Sequence, residues 1–253
     1  MLPVLMYHGL HATADDAGFH DPVYSVRPRD FEQQLQWLRQ HGYRTVLLRD
    51  VGTRTPANSV VITFDDGDIS NLTVALPALT RCGMRAEFCI TTDYIGRRGS
   101  LNEDGVRMLT EAGMGVQSHG CTHRYLADLD AAELDFELRL SRHRLQAITG
   151  TQVTAIALPG GRGDERERAA AVRAGYWHFL NSAPGINANW KVGEYLQRVP
   201  ITGDLTLEKF ADLVQWRGLA PRVLRARYEA LAQAKQMLGN RAYERWRERV
   251  VLR

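Results

Sequence analysis

Long apolar runs are missing from this sequence. No stretch approaches the roughly 18 consecutive apolar residues of a membrane-spanning helix. The opening Met1-Leu2-Pro3-Val4-Leu5-Met6-Tyr7-His8 has no basic segment ahead of its few apolar residues, so it does not read as an export signal. Cysteine is scarce too. Cys82, Cys89 and Cys121 form no Cys-x-x-Cys pair and leave an odd count, which excludes a disulfide framework and fits a reducing compartment. The expected location is the cytoplasm. A net charge of +3 is too small to point to nucleic acid. Gly-x-Gly-x-x-Gly, the phosphate loop and the Gly-x-Ser-x-Gly elbow are all absent, so dinucleotide, nucleotide and serine-hydrolase chemistry have no motif to rest on.

What remains is an ordinary globular composition, 44% hydrophobic and 24% charged over 253 residues. That length suits one large domain with an appendage. Charge is unevenly spread. Residues 218–253 hold nine Lys/Arg against three Glu, a balance of +6, whereas residues 1–217 hold 23 against 26, a balance of −3. The expected division is a domain over 1–217 and a basic helical appendage over 218–253. Its charges are interleaved with Leu, Tyr and Trp, as on a solvated helix packed against the domain. A membrane-surface or oligomer contact is the alternative use of so basic a segment.

A rhythm of amphipathic helix, glycine and apolar strand repeats along the chain. Phe31, Leu35 and Leu38 form a helical stripe ended by Gly42, then Arg44–Leu48. The same order recurs as Leu72–Arg81, Gly83 and Arg85–Thr91, and as Glu103–Ala112, Gly113 and Met114–His119. It recurs again as a long stripe from Leu134 to Ile148, Gly150 and Val153–Leu158, and as Glu165–Ala174, Gly175 and Trp177–Ser182. Asp130 with Glu133, and Asp164 with Glu167, have capping-box spacing. Leu2–Tyr7 and Ser59–Phe64 add strands; Tyr195–Ile201 reads as a last strand, and Asp204 as the cap of a helix through Val214. Strands alternating with helices imply parallel pairing under a helical cover. The expected fold is α/β, a distorted (β/α)7-type barrel with extra C-terminal helices; an open doubly wound sheet is the alternative.

In a parallel barrel the chemistry sits at the C-terminal ends of the strands. His8 follows the first apolar run. Asp65 and Asp66 follow Ser59–Phe64, His119 and His123 end the Met114 run, and Pro159-Gly160-Gly161 follow Val153–Leu158. Four strand ends therefore carry unusual groups facing one mouth. Consecutive carboxylates leaving a strand diverge, so one can bind a metal while the other handles a proton; an ordinary Asp-Gly turn is the plainer reading. Histidines at i and i+4 can converge on one cation, although two unrelated surface histidines would look the same. Cys121 between them reads as a buried thiol rather than a soft ligand. One Asp with two His makes a three-ligand set with room for water, as in hydrolytic zinc sites.

Together, Thr63-Phe64-Asp65-Asp66-Gly67 and Ser118-His119-x-x-x-His123 resemble the polysaccharide deacetylases, carbohydrate esterase family 4, over roughly residues 1–215. The resemblance implies that Asp66, His119 and His123 bind one divalent metal and that Asp65 is the general base. It makes Pro159-Gly160-Gly161 the end of the family's third motif, with the Gly160 N–H on the oxyanion. Zinc suits the ligands; nickel, cobalt and manganese also fit. Two departures stand out. The third motif usually opens with an arginine that orients the base, and that position is Ala157. Arg162 or Arg198 can replace it, and Arg198 in Gln197-Arg198-Val199-Pro200 is the better candidate because it follows a strand. The family's late catalytic histidine also has no match, since His178 falls inside a strand. Leu5-Met6-Tyr7-His8-Gly9, however, resembles the opening motif of a permuted branch acting on extracellular polysaccharide, where the histidine protonates the leaving amine. The implied activity is removal of N-acetyl groups from N-acetylhexosamine units of an exopolysaccharide or a lipid-linked precursor at the inner membrane face. O-deacetylation, and an inactive glycan-binding barrel suggested by Ala157, are the alternatives.

Overall fold

The computed structural model describes residues 1–52, 55–188 and 190–238. In chain order the strands are β1 (Val4–Tyr7), β2 (Gly9–Leu10), β3 (Ser25–Val26), β4 (Arg44–Thr45), β5 (Ser59–Phe64), β6 (Glu87–Ile90), β7 (Gly115–Ser118), β8 (Ala155–Ala157), β9 (His178–Leu180), β10 (Tyr195–Leu196) and β11 (Val199–Pro200). The helices are α1 (Pro28–Gln40), α2 (Leu76–Arg81), α3 (Glu103–Glu111), α4 (Ala131–Thr149), α5 (Glu165–Arg173), α6 (Leu207–Gln215) and α7 (Ala220–Leu238).

Among the described residues every strand pair is parallel, and the main sheet runs β10-β9-β8-β7-β6-β5-β1-β11, with β4 beside the start of β5. β10 and β11 belong to one short stretch of chain yet lie at opposite ends of that order. The expected single strand over Tyr195–Ile201 is thus two short ones, broken at Gln197-Arg198, and this segment bridges the gap between β9 and β1. The fold is the expected distorted (β/α) barrel.

Strand alternation separates two cores. Leu5, Tyr7, Val60, Ile62, Phe64, Phe88, Ile90, Val116, Ile156 and Phe179 share the larger one with helix residues such as Phe31, Leu35, Leu134 and Leu138, so it lies between sheet and helices. Val4, Val61, Cys89, Ala155, Ala157, Leu180 and Leu196 form a smaller cluster on the other face, inside the curl of the sheet. By the same alternation Thr63 and then Asp65 face inward, as do Gln117 and then His119.

The helix signals act as their spacing predicts. Asp130 accepts from the N–H groups of Ala132 and Glu133, while Glu133 accepts from Asp130 N–H at 3.0 Å. Asp164 and Glu167 repeat the pattern. Gly150 closes α4 at φ 66°, and the other four helix-ending glycines also take positive φ. Two details differ. Leu72–Arg81 is a π-helical turn over Asn71–Ala75 running into a short α2, because Pro77 has no N–H for a regular ladder. The cap of α6 is Thr206, not Asp204; Asp204 lies too far ahead of the helix and instead accepts from the Thr202 hydroxyl at 2.6 Å.

Beyond α6 the chain turns at Trp216 (φ 52°) and Gly218 (φ 73°) into α7. Ala220 and Leu224 pack on the larger core. The rest of the expected appendage, 239–253, lies outside the described residues. Among the described residues no helix is long and apolar enough to cross a membrane.

Candidate active site and metal centre

The ends of β5 and β7 present the acidic and imidazole groups. Asp65 continues the ladder, its N–H donating to Tyr7 C=O at 2.9 Å. Asp66 and Gly67 then take left-handed backbone, φ 73° and 86°, which turns the chain sharply and separates the two carboxylates. His123 is left-handed as well, at φ 63°, so the chain folds back after His119.

Asp66, His119 and His123 each offer an atom within 4.8 Å of the others. Asp66 Oδ1 lies 3.4 Å from His119 Nε2 and 3.3 Å from His123 Nε2. An ion with ligand bonds of about 2.1 Å at a tetrahedral angle sets its ligand atoms about 3.4 Å apart. Asp66 Oδ1 is buried with no hydrogen-bond partner among the described residues, an arrangement costly unless something cationic completes it. His119 Nδ1 is 2.8 Å from the Ala157 carbonyl, which leaves Nε2 for the ion. The residues fit a divalent metal.

Asp65 is engaged differently. Arg198 Nη1 donates to its Oδ1 at 2.7 Å, and Arg198 Nε donates to Asn181 C=O at 2.8 Å. Both side chains are buried. Burial pushes the Asp65 carboxyl up, but Arg198 and His119 outweigh it and hold the pKa below the ordinary value. Burial also works against ionisation of Asp66, yet four imidazoles, of His20, His8, His119 and His123, hold that carboxyl far below the carboxylate range.

His8 lies just past β1, its carbonyl accepting from Asn71 Nδ2 at 2.8 Å and its ring stacked on Tyr24 at 4.3 Å. Burial lowers its pKa, with Asp66 and Asp65 pulling the other way. Gly160 has φ 63°, and a Cβ there would fall 2.1 Å from Tyr125 Cε1. His8, Asp65, Asp66, His119, His123, Gly160, Gly161 and Arg198 all line one cavity of about 500 Å³. Pro159 does not line it; its ring is buried in the turn behind. Arg162 lines the cavity but stacks its guanidinium 4.6 Å from the Tyr125 ring. His178 stands in β9, stacked on Trp190, away from the cavity.

Three supporting residues escape sequence reading. Glu137 of α4 accepts from Cys121 N–H (3.1 Å), Thr122 N–H (2.7 Å) and Thr122 Oγ1 (2.8 Å), bracing the turn between the two histidines. A glutamate inside the apolar stripe of α4, beside Leu134 and Leu138, is the signal that could have revealed it. Cys121 itself is buried, with its thiol pushed up to about 11 by burial, and is outside the ligand set. His20 is buried with Nδ1 3.7 Å from Asp66 Oδ2 and Nε2 3.4 Å from Asp68 Oδ2. His11 Nε2 lies 3.1 Å from the same Asp68 oxygen. His20 comes from an irregular loop with no periodicity to mark it.

A family model described as polysaccharide deacetylase matches residues 52–178, half of the chain. The chain belongs to the polysaccharide deacetylase family. The Bacillus subtilis protein YxkH is 28% identical over 221 residues, covering 85% of this chain and 76% of that protein. BC0361, a polysaccharide deacetylase from Bacillus cereus, is 27% identical with a TM-score of 0.76, over 84% of this chain and 68% of that one. A shorter match of 93 residues, 30% identical, joins this chain to the poly-beta-1,6-N-acetyl-D-glucosamine N-deacetylase of Staphylococcus epidermidis; it covers 35% of this chain and 31% of that enzyme. The family model spans Asp65, Asp66, His119, His123 and Gly160, but stops short of Arg198 and begins after His8.

Proposed function

We propose that this polysaccharide deacetylase is a divalent-metal-dependent enzyme that hydrolyses the acetamide of N-acetylhexosamine units in a glycan. The observation that carries the reading is the division of labour between neighbours. Asp66 Oδ1 faces two imidazoles, whereas Asp65 Oδ1 is held by a buried guanidinium. Asp66, His119 and His123 would hold the ion. When bound, a zinc, nickel, cobalt or manganese ion acidifies water and polarises an acyl oxygen.

The protein's own groups do the rest. Asp65 is ionised near neutrality and acts as general base, with Oδ2 turned toward the ligand cluster, 4.0 Å from His119 Nε2. Arg198 holds that carboxylate in one orientation. The Gly160 N–H donates to the oxygen that gains charge as the carbonyl carbon becomes tetrahedral. His8, on the same cavity, gives a proton to the departing nitrogen. Acetate and a free amine result, and the glycan gains a positive charge.

Amide rather than ester cleavage is supported by the placement of His8, since an amine leaves poorly without a proton, and by the partial match to an N-deacetylase. An inactive glycan binder rested on Ala157; with Arg198 against Asp65 that reason falls away. The test is acetate and free-amine release from N-acetylglucosamine oligomers by metal-loaded protein, by chelator-treated protein, and by Asp65→Asn. Activity that needs the ion and drops about 10²–10⁴-fold in the variant is expected. Undiminished turnover in Asp65→Asn would end the assignment of the base, and acetate release without free amine would mean ester cleavage.

A further inference from the structure

Two aromatic side chains stand beside the ligand cluster without belonging to either core. Phe19 is half exposed, and Tyr94, partly buried, lies in the turn after β6. Neither lines the catalytic cavity. Phe19 packs on His20 with ring centroids 4.1 Å apart and the planes tilted by 30°, and it meets Tyr94 edge to face at 5.1 Å. Tyr94 in turn stacks on His123 at 6.0 Å, and Arg97 Cζ lies 4.9 Å from its ring centre. Rings therefore lead outward from Asp66, through His123 to Tyr94 and through His20 to Phe19, and the two branches meet where Phe19 touches Tyr94.

The placement is rigid on the Tyr94 side. Thr92 N–H donates to Gly120 C=O at 3.1 Å and Asp93 N–H to Cys121 C=O at 2.9 Å, so the turn bearing Tyr94 is fixed to the turn that carries the two histidines. Single exposed apolar side chains are common on protein surfaces, but Phe19 is joined to a second aromatic and lies one ring away from the Asp66 carboxylate. The chemistry such a surface fits is a sugar ring. A β-linked N-acetylglucosamine carries its substituents equatorially, so its broad faces are slightly positive C–H bonds, and the face of a phenyl ring is negative. α7 walls part of the cavity with Leu224, Tyr228 and Leu231. A glycan longer than the cavity has to run out elsewhere, and the rim at His123 leads onto Tyr94 and Phe19.

We infer that Phe19 and Tyr94 form a sugar-binding subsite next to the metal centre, which receives the hexosamine ring neighbouring the one that is deacetylated. Phe19 gives that ring its exposed face, and Tyr94, held by His123 and Arg97, fixes the angle of Phe19. The inference rests on the deacetylase reading and narrows its substrate class to oligomers and polymers rather than single sugars.

The test uses the metal-loaded full chain with two kinds of probe: a β-1,6-linked N-acetylglucosamine pentamer, and an aryl acetate too small to reach Phe19. The readout is the ratio of kcat/KM for the pentamer to that for the aryl acetate, in wild type, Phe19→Ala and Phe19→Tyr. The ratio should fall about 3- to 10-fold in Phe19→Ala, the worth of one aromatic contact, with the loss mainly in KM. It should be largely kept in Phe19→Tyr, which retains a ring face. Metal affinity, from competition with a chromophoric chelator, should be the same in all three. If Phe19 merely shields His20, both probes lose equally or metal binding weakens in step, and the inference is overturned. An unchanged ratio in Phe19→Ala overturns it too and leaves the deacetylase reading intact. If the pentamer releases no acetate, that reading fails, and calorimetric titration with the pentamer still decides the subsite: wild type must bind it more tightly than Phe19→Ala, and equal or absent binding ends the proposal.

Discussion

Arg198 and Asp65 are 133 residues apart in sequence and 2.7 Å apart in space. Both are buried, so neither charge is solvated by water, and each depends on the other. Arg198→Met should cost about 3–5 kcal/mol of stability, the usual penalty for stranding one buried charge. Its effect on pH dependence has a definite sign. In the native chain the Asp65 pKa is depressed, so its stabilising contribution is present above the unfolded value near 3.9 and is lost as pH falls through the folded value. Without the guanidinium the pKa rises, and the acid limb of the kcat/KM profile moves to higher pH. Arg198→Lys keeps a cation and should move that limb less. Denaturant melts across pH, paired with rate profiles, check both statements.

As the proposed proton donor, His8 should set the other limb. A general acid works only while protonated, so activity falls as pH rises through its pKa, which burial lowers from the ordinary value near 6.5. His8→Ala should reduce kcat by about 10²–10⁴-fold on amide substrates and flatten the alkaline limb. Substrates with a good leaving group, such as an aryl acetate, should lose far less. Equal losses on both substrate types would remove His8 from the proton donor's place.

His20 Nδ1 lies 3.7 Å from Asp66 Oδ2, while the His119 and His123 imidazoles, the proposed metal ligands, approach the other oxygen, Oδ1. Groups that orient a metal ligand from behind typically change affinity about 10–100-fold when removed. His20→Ala should weaken metal binding by that order, while His20→Asn, which keeps a polar contact, should weaken it less. Competition titration against a chromophoric chelator measures both without reference to turnover.

Gly160 has no room for a side chain. An alanine there would combine a left-handed backbone with a Cβ 2.1 Å from the Tyr125 ring, so the turn or the ring must move. Displacing an oxyanion donor costs about 10²–10³-fold in kcat. Gly160→Ala should approach that loss, and the double variant Gly160→Ala with Tyr125→Ala should recover part of it by removing the collision. Steady-state kinetics on both variants, with melting temperatures to show that they fold, decide the matter.

Sequence alone determined the parts that rest on local rules. The helix-glycine-strand rhythm follows from backbone preferences and periodicity, and the capping boxes followed their spacing. Asp65, Asp66, His119 and His123 were legible because strand ends in a parallel barrel point to one mouth, so position in the rhythm is also position in space. Where contacts depend on chain closure, no local rule reaches. The break of Tyr195–Ile201 into two strands at opposite ends of the sheet, which brings Arg198 inward against Asp65, comes from how the barrel closes. The same holds for His20 behind Asp66, Glu137 under the histidine turn, and α7 beside the cavity. Each depends on packing between segments far apart in the chain, and only the assembled fold decides which of them meet.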